Sequence, residues 1–341
     1  MRVFKGLSAV HRPPPRAVVT VGVFDGVHLA HQRLIRSAVT LARRIHGTSV
    51  AITFDPDPHA VLHPAQAHPA LMPLEARVAA LERAGIDWLW ILPFTKRFAR
   101  TTPRQFVLRF LKGRLQASAL IVGEAFVFGN HRQGDLAVLK AMGPSIGMRV
   151  IPVRQVRRGG APISSSRIRR LIAAGRLTDA RRLLGRAPSL YGVVVRGAGR
   201  GRRLGCPTAN IRLIPQVLPP QGVYAVTVDA RHGGRARRGV TPPPMSVRDT
   251  RTASRRFAFG EYRGGGVMNL GVRPTFGPGA LVCEVHLLGF SGTLLGASVA
   301  VSLMARLRGE RCFPSAQALR KQVRRDIARA RRMLRFHSHR S

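Results

Sequence analysis

Apolar and polar positions follow two different rhythms along the chain. Val18–Val23 consists of β-branched residues and glycine, which predicts a buried strand ending at Gly22–Val23. Asp25-Gly26 turns the chain. From about Val27 the period becomes helical, with Leu34, Ala38, Leu41 and Ile45 at steps of three and four. Ser49–Phe54, Ile86–Leu92, Ser118–Gly123 and Met148–Val153 read as further strands. Between them fall helices over Leu74–Ala84, stopped by Gly85, and Pro103–Lys112, opened by proline. Asp55-Pro56-Asp57-Pro58 is a stiff turn leading into a Pro/His-rich loop that ends at Pro73. Ser165–Arg186 reads as two short helices around Gly175. Strands alternating with helices predict an α/β first domain over 1–186, a Rossmann-like, doubly wound parallel sheet. Ligands of such sheets bind beyond the carboxyl ends of the strands, which is where His28 and His31 fall.

The second rhythm begins near residue 187. Tyr191–Arg196, Gly222–Val228, Val267–Val272, Leu281–Leu288 and Ser298–Met304 are short β-branched runs separated by Gly/Pro turns. They predict an antiparallel β-barrel over 187–341. An amphipathic helix from Ser315 to about Leu334 closes the chain, with Leu319, Val323 and Ile327 at four-residue steps. Asp229–Gly266 breaks the rhythm: it is rich in Arg, Gly and Pro and has almost no apolar period, which predicts a disordered insertion between two strands.

With 341 residues, 45% of them hydrophobic, the chain can form two cores. No apolar run reaches the ~20 residues of a membrane span, so no membrane partner is expected. The first residues have no signal-peptide core. The three cysteines have no pairing or metal spacing, which points to a reducing cytoplasm. Net charge is +42, and 52 of the 57 basic residues are arginine. Such a balance ordinarily suggests nucleic acid. Here the arginines are spread over nearly every predicted helix, without the interleaved aromatics that stack on bases, and codon bias accounts for them equally well. The charge therefore suits small anionic substrates and implies no specific nucleic-acid partner. Oligomeric state stays open.

Two groups of residues carry candidate phosphate chemistry. His28 and His31 stand three apart at a helix start, where unpaired N–H groups and about half a positive charge attract anions. Taken alone the pair is ordinary exposed helix surface, and no carboxylate or cysteine stands at metal-ligand spacing. Ile163-Ser164-Ser165-Ser166, with Arg167 and Arg169 following, opens a second helix; taken alone it is a cap followed by surface arginines. Downstream, Arg196–Asn210 has glycines at 197, 199, 201 and 205 and ends in Pro207-Thr208-Ala209-Asn210. Its amides can fold around an anion. The Thr208 hydroxyl and Asn210 carboxamide are hard oxygen ligands suited to Mg²⁺ held with nucleotide phosphates. Glu284, on an apolar strand with Val282 and His286 on its face, is either paired with an arginine for structure or a general base. Phe126 and Phe128, after a strand end, suit a core or a ring pocket.

Together, H-x-x-H and I-S-S-S-x-x-R resemble the paired signatures of nucleotidylyltransferases. The longer series F-D-G-V-H-x-x-H-Q, I-S-S-S-R-I-R, G-R-x-L-G-x-P-T-A-N, G-V-Y-A-V, N-L-G-x-R-P-T-F and E-V-H-L-L resembles the bacterial bifunctional riboflavin kinase/FAD synthetases over nearly the whole chain. The resemblance implies a barrel that phosphorylates riboflavin to FMN with ATP and Mg²⁺, Thr208 and Asn210 holding Mg-ATP and Glu284 deprotonating the ribityl hydroxyl. Gly205 and Pro207 belong to that nucleotide loop, and Arg273 would lie near the flavin. It further implies an N-terminal FMN adenylyltransferase that makes FAD and pyrophosphate. There His28 and His31 would stabilise the departing pyrophosphate, Ser164, Ser165, Ser166 and Arg169 would hold phosphates, and Phe24, Asp25 and Gly26 would complete the signature. Ala30 replaces a glycine of that pattern, Ala125 an acid or amide, and Ser166 a threonine. In the kinase half Cys206 replaces an aromatic, Gly289 an aspartate and Leu295 a tyrosine. Ala30 and Ala125 motivate an alternative in which only the kinase survives. The charge motivates another, a basic nucleic-acid-binding protein on a degenerate scaffold.

Overall fold

The computed structural model describes residues 1–197, 206–231, 262–272 and 281–338. Strands and helices alternate through the first half as β1 (Arg2–Lys5), β2 (Val18–Val21), α1 (Leu29–Arg44), β3 (Ser49–Phe54), α2 (Pro58–Leu62) and α3 (Leu74–Arg83). They continue as β4 (Trp88–Leu92), α4 (Lys96–Ala99), α5 (Pro103–Phe106), β5 (Ala119–Gly123), α6 (Leu136–Met142) and β6 (Arg149–Val153). A short hairpin, β7 (Arg157–Arg158) and β8 (Ala161–Pro162), precedes α7 (Ser165–Ala173) and α8 (Leu177–Leu184). By contact, the chain divides into two compact units: Met1–Pro69 with Arg77–Ser165, and Ala70–Ala76 with Ser166–Ser341.

The six strands of the first unit form one sheet in the order β1-β4-β3-β2-β5-β6. Every pairing is parallel. Its central strand β2 is buried throughout, as its composition predicts. Because β2 pairs with β3 on one side and β5 on the other, α1 leaves the sheet where the strand order reverses, the usual ligand crevice of such folds. Two details differ from the sequence reading. Arg2–Lys5 is a strand, too short to show a period, held against β4 with Phe4 packed 4.6 Å from Trp88. The helix expected over Pro103–Lys112 opens with a Thr102/Gln105 capping box and then widens to π-helical turns over Val107–Arg114.

In the second unit, β9 (Ser189–Val195), β10 (Ala209–Leu213), β11 (Gly222–Arg231), β12 (Tyr262–Val272), β13 (Leu281–Leu287) and β14 (Ser298–Arg308) close into an antiparallel barrel, followed by α9 (Ala316–Ser338). The barrel order is β10-β13-β12-β11-β14-β9, with β9 pairing back to β10. Tyr224, Val226, Met268, Leu270, Cys283, Val285 and Val301 fill the interior. The alternate residues Val223, Ala225, Val267 and Leu307 face outward and are covered by Ala330 and Met333 of α9. Arg308 anchors that helix through Asp326, at 2.9 Å.

The expected disordered insertion over 229–266 needs correction at both ends. Asp229 pairs with Arg263 and Ala230 with Tyr262 in the β11–β12 ladder, and Thr227 pairs with Gly265. Gly264-Gly265-Gly266 hides a strand because it has no side chains to show a period. The glycines are needed there: a β-carbon at Gly265 would sit 2.7 Å from Leu334 of α9. Residues 232–261 of the expected insertion lie outside the described residues.

Candidate active sites

In the first unit the β2–α1 connection contains three left-handed residues in four: Phe24 (φ 54°), Gly26 (φ 82°) and Val27 (φ 39°). A β-branched residue rarely adopts that conformation, so the surrounding structure must hold it. Phe24 is fully buried and accepts the Val27 N–H at 3.1 Å; Gln32 Nε2 donates to Val27 O at 2.8 Å. The chain reaches α1 two residues later than its hydrophobic period suggests. His28 is therefore the extended cap residue and not part of the first turn, and its Nδ1 accepts the His31 N–H at 3.4 Å.

That cap stacks the two imidazoles, with centroids 3.6 Å apart and planes inclined by 15°, and the Phe24 ring meets His31 edge-on at 5.3 Å. His28 is 4% exposed and His31 is half-buried, so the pair is not exposed helix surface. Burial, then His28, then the Arg77 charge hold His31 well below the usual histidine pKa of 6.5, so it is neutral at pH 7. An accepting Nδ1 leaves the His28 proton on Nε2, as a donor. His31 Nδ1 is buried and has no hydrogen-bond partner.

Ser165, which opens α7, donates its hydroxyl to Asp25 O at 2.9 Å across 140 residues of sequence. The serine stretch that begins at Ser164 thus meets the turn bearing Phe24, Asp25 and Gly26. Ser166 and Arg169 follow along α7, with Arg169 buried. Phe126 and Phe128 stack at 5.5 Å and pack, half-buried, on the sheet core; Ala125 beside them is exposed.

In the second unit, strand register builds the candidate site. Asn210 of β10 stands directly opposite Glu284 of β13, and Glu284 stands opposite Asn269 of β12. Directly paired residues share a face, so the three form one polar row on the outside of the barrel. Glu284 alternates with Cys283, which points inward and whose thiol is pushed up to about 12 by burial and then by the Glu284 charge. The two cross-strand neighbours of Glu284 are carboxamides, not arginines. His286, on the same face, bonds Pro207 O through Nδ1 at 2.9 Å and ties down the segment bearing Thr208. A β-carbon at Gly197 would collide with the Asn210 carboxamide, so that glycine gives the side chain its place. Gly205 and Arg273 lie outside the described residues.

Thr208 and Asn210 suit a magnesium ion by the chemistry of their donors. Mg²⁺ keeps several waters and substrate phosphates and needs only one or two hard protein oxygens. Among the described residues no three His, Cys, Asp or Glu are grouped to hold a metal. Asn269 and Arg77 were not singled out from sequence. The parity of β12 points to Asn269 once its pairing with β13 is known, whereas nothing in sequence separates Arg77 from the other helix arginines.

Comparison with known proteins matches a different family to each half of the chain. A FAD synthetase family model matches residues 11–167 and a riboflavin kinase model residues 184–334. A bifunctional riboflavin kinase/FMN adenylyltransferase of Pseudomonas fluorescens is 33% identical, covering 100% of both chains. Its counterpart in Haemophilus influenzae is 32% identical over 97% of this chain and 98% of its own. A solved Streptococcus pneumoniae structure, titled a macrolide-efflux protein, superposes with TM-score 0.79 and 28% identity over 97% of this chain and 99% of its own. Among the described residues no helix is long and apolar enough to cross a membrane. With one family model on each half and relatives matched end to end, the chain belongs to the bifunctional riboflavin kinase/FAD synthetase family of flavin-forming enzymes.

Proposed function

We propose that the two sites divide the enzyme's two reactions between them: the barrel row phosphorylates riboflavin, and the imidazole turn adenylylates the FMN so formed. Family membership supports the bifunctional reading over the kinase-only and nucleic-acid alternatives. In the barrel, Glu284 removes the proton of the terminal ribityl hydroxyl as its oxygen attacks the γ-phosphorus of ATP and ADP leaves. Asn210 and Asn269 flank that carboxylate and orient it, and Thr208 and Asn210 hold Mg-ATP. The metal, when bound, supplies charge neutralisation at the transferring phosphoryl group. Gly205 and Pro207 shape the nucleotide loop, and Arg273 is assigned to the flavin side through its motif.

In the first unit an FMN phosphate oxygen attacks the α-phosphorus of ATP, forming one P–O–P bond as the α–β bond breaks and pyrophosphate departs. His28 donates from Nε2, with His31 stacked behind it. The α1 amides, Ser164 and Ser165 supply further donors to the phosphates, and Ser166 and Arg169 are assigned to the phosphates through their motif. Phe24, Asp25 and Gly26 build the turn that aims them. The observation that carries the adenylyl assignment is the His31 N–H to His28 Nδ1 bond, which fixes the tautomer and the stack at the ligand crevice of the sheet. Purified protein given riboflavin, ATP and Mg²⁺ should yield FMN and then FAD on chromatography. FMN without FAD would remove the adenylyl assignment, and supplied FMN turned to FAD without any riboflavin phosphorylation would remove the kinase one.

A further inference from the structure

Arg77 of α3 is a buried arginine beside the imidazole turn. One of its Nη atoms donates both to Thr53 Oγ1, at 3.3 Å, and to Phe54 O, at 3.1 Å, at the carboxyl end of β3. Thr53 spends its own hydroxyl proton on Val23 O, at 3.0 Å. The donors run in one direction, from Arg77 to Thr53 to Val23, and Val23 is the residue from which the chain enters the left-handed turn that ends at His28. Hydrogen bonds to a charged donor are the stronger kind, and in a buried setting they fix position.

We propose that Arg77 and Thr53 are positioning residues for adenylyl transfer: together they clamp the entry of the β2–α1 turn to the end of β3 and so hold the His28–His31 pair in place. The proposal rests on the assignment of that pair to adenylyl transfer. The guanidinium also faces His31 electrostatically, which gives the clamp a signature that a purely structural residue lacks. The groups acting on His31 are His28 from its own element and Arg77 from α3, with the Phe24 edge and the buried Asp25 in the adjoining turn. Removing Arg77 takes away one positive neighbour, so protonation of His31 becomes easier and its inflection moves to higher pH.

The test uses full-length protein with FMN and ATP for adenylylation and, separately, riboflavin and ATP for the kinase. Thr53→Val keeps the charge and breaks the relay, and should lower kcat for FAD formation about tenfold to a hundredfold, as small misplacements of catalytic groups do, without moving the acid inflection. Arg77→Met should lower kcat similarly and move the inflection upward. Arg77→Lys should restore the inflection and part of the rate. Kinase turnover should stay at the wild-type level in all three. Wild-type adenylylation in both Thr53→Val and Arg77→Met would overturn the proposal, as would an unmoved inflection in a folded Arg77→Met. Should Arg77→Met fail to fold, with kinase turnover lost too, wild-type kcat in Thr53→Val and Arg77→Lys would overturn it. His31→Ala serves as the reference: if that variant keeps full adenylylation, the fault lies in the site assignment and not in the clamp.

Discussion

The β2–α1 turn and the Asn210–Glu284–Asn269 row position their polar groups by different means. The turn relies on strained backbone: three left-handed residues, one of them a valine, stack a buried and a half-buried imidazole at a helix start. The row relies on regular pairing, in which antiparallel register alone lines up a carboxylate between two carboxamides. A strained turn is sensitive to anything that lets it relax, including residues that never touch substrate. A register row is sensitive mainly to its own members, because the ladder beneath them is held by many equivalent hydrogen bonds. The two reactions of this enzyme should therefore fail separately and in different ways.

The largest effect expected is from Glu284→Gln. It keeps the shape of the row and removes the base, so riboflavin phosphorylation should fall by roughly 10²- to 10⁴-fold while conversion of supplied FMN to FAD continues. The comparison breaks if FAD formation falls in parallel in a protein that unfolds normally. Next comes His31→Ala, which removes the ring stacked behind the His28 donor and should lower adenylylation about a hundredfold, with kinase turnover retained. Both are read by separating flavins after incubation with one substrate at a time.

Smaller, and confined to the barrel, is Gly197→Ala. A β-carbon there collides with the Asn210 carboxamide, so the side chain must leave the row or the backbone must shift. We expect kcat/KM for riboflavin phosphorylation to drop about tenfold, ~1.4 kcal/mol, chiefly through KM for Mg-ATP, with adenylylation unchanged. A drop in both reactions would mean that the loop entering β10 matters to more than the row.

The same contrast explains what could be read in the chain before its structure. Runs such as Val18–Val21, Ser49–Phe54 and Leu281–Leu287 carry their period in their own side chains, so the parallel sheet and most of the barrel were legible. So were Asn210 and Glu284 as separate polar residues on strand faces. Their adjacency was not, because register depends on the pairing of β10 with β13, two segments some 70 residues apart. The strand through Gly264-Gly265-Gly266 was missed because glycine shows no period, and β1 because four residues are too few. The helix start was expected two residues too early, which put His28 inside the first turn and not at the cap: a valine with positive φ is the residue type least expected to delay a helix. Arg77 was invisible for a plainer reason, being one arginine among 52.

The smallest effect separates the two units by pH. His31 in the first unit titrates well below 6.5 when folded, because burial, then His28, then the Arg77 charge disfavour the imidazolium. Below pH 6.5 the unfolded chain binds a proton that the folded one refuses, so this contribution to stability is complete above 6.5 and is lost as pH falls. Cys283 in the barrel runs the other way. Its folded thiol holds its proton up to about 12, against 9.0 when free, so the unfolded chain sheds a proton first and stability is lost as pH rises above 9. The buried Tyr224 hydroxyl, raised by desolvation, acts in the same direction. Each group contributes a slope of no more than about 1.4 kcal/mol per pH unit. The probes are already separated in the chain: both tryptophans, Trp88 and Trp90, lie in the first unit, and all three tyrosines, Tyr191, Tyr224 and Tyr262, in the second. Denaturant unfolding followed by tryptophan fluorescence should weaken first on the acid side, and near-ultraviolet tyrosine signals first on the alkaline side. His31→Gln should flatten the acid slope and Cys283→Val the alkaline one. Tryptophan and tyrosine signals that move together at both extremes would mean that the units unfold as one, and the separation of sites would then have no counterpart in stability.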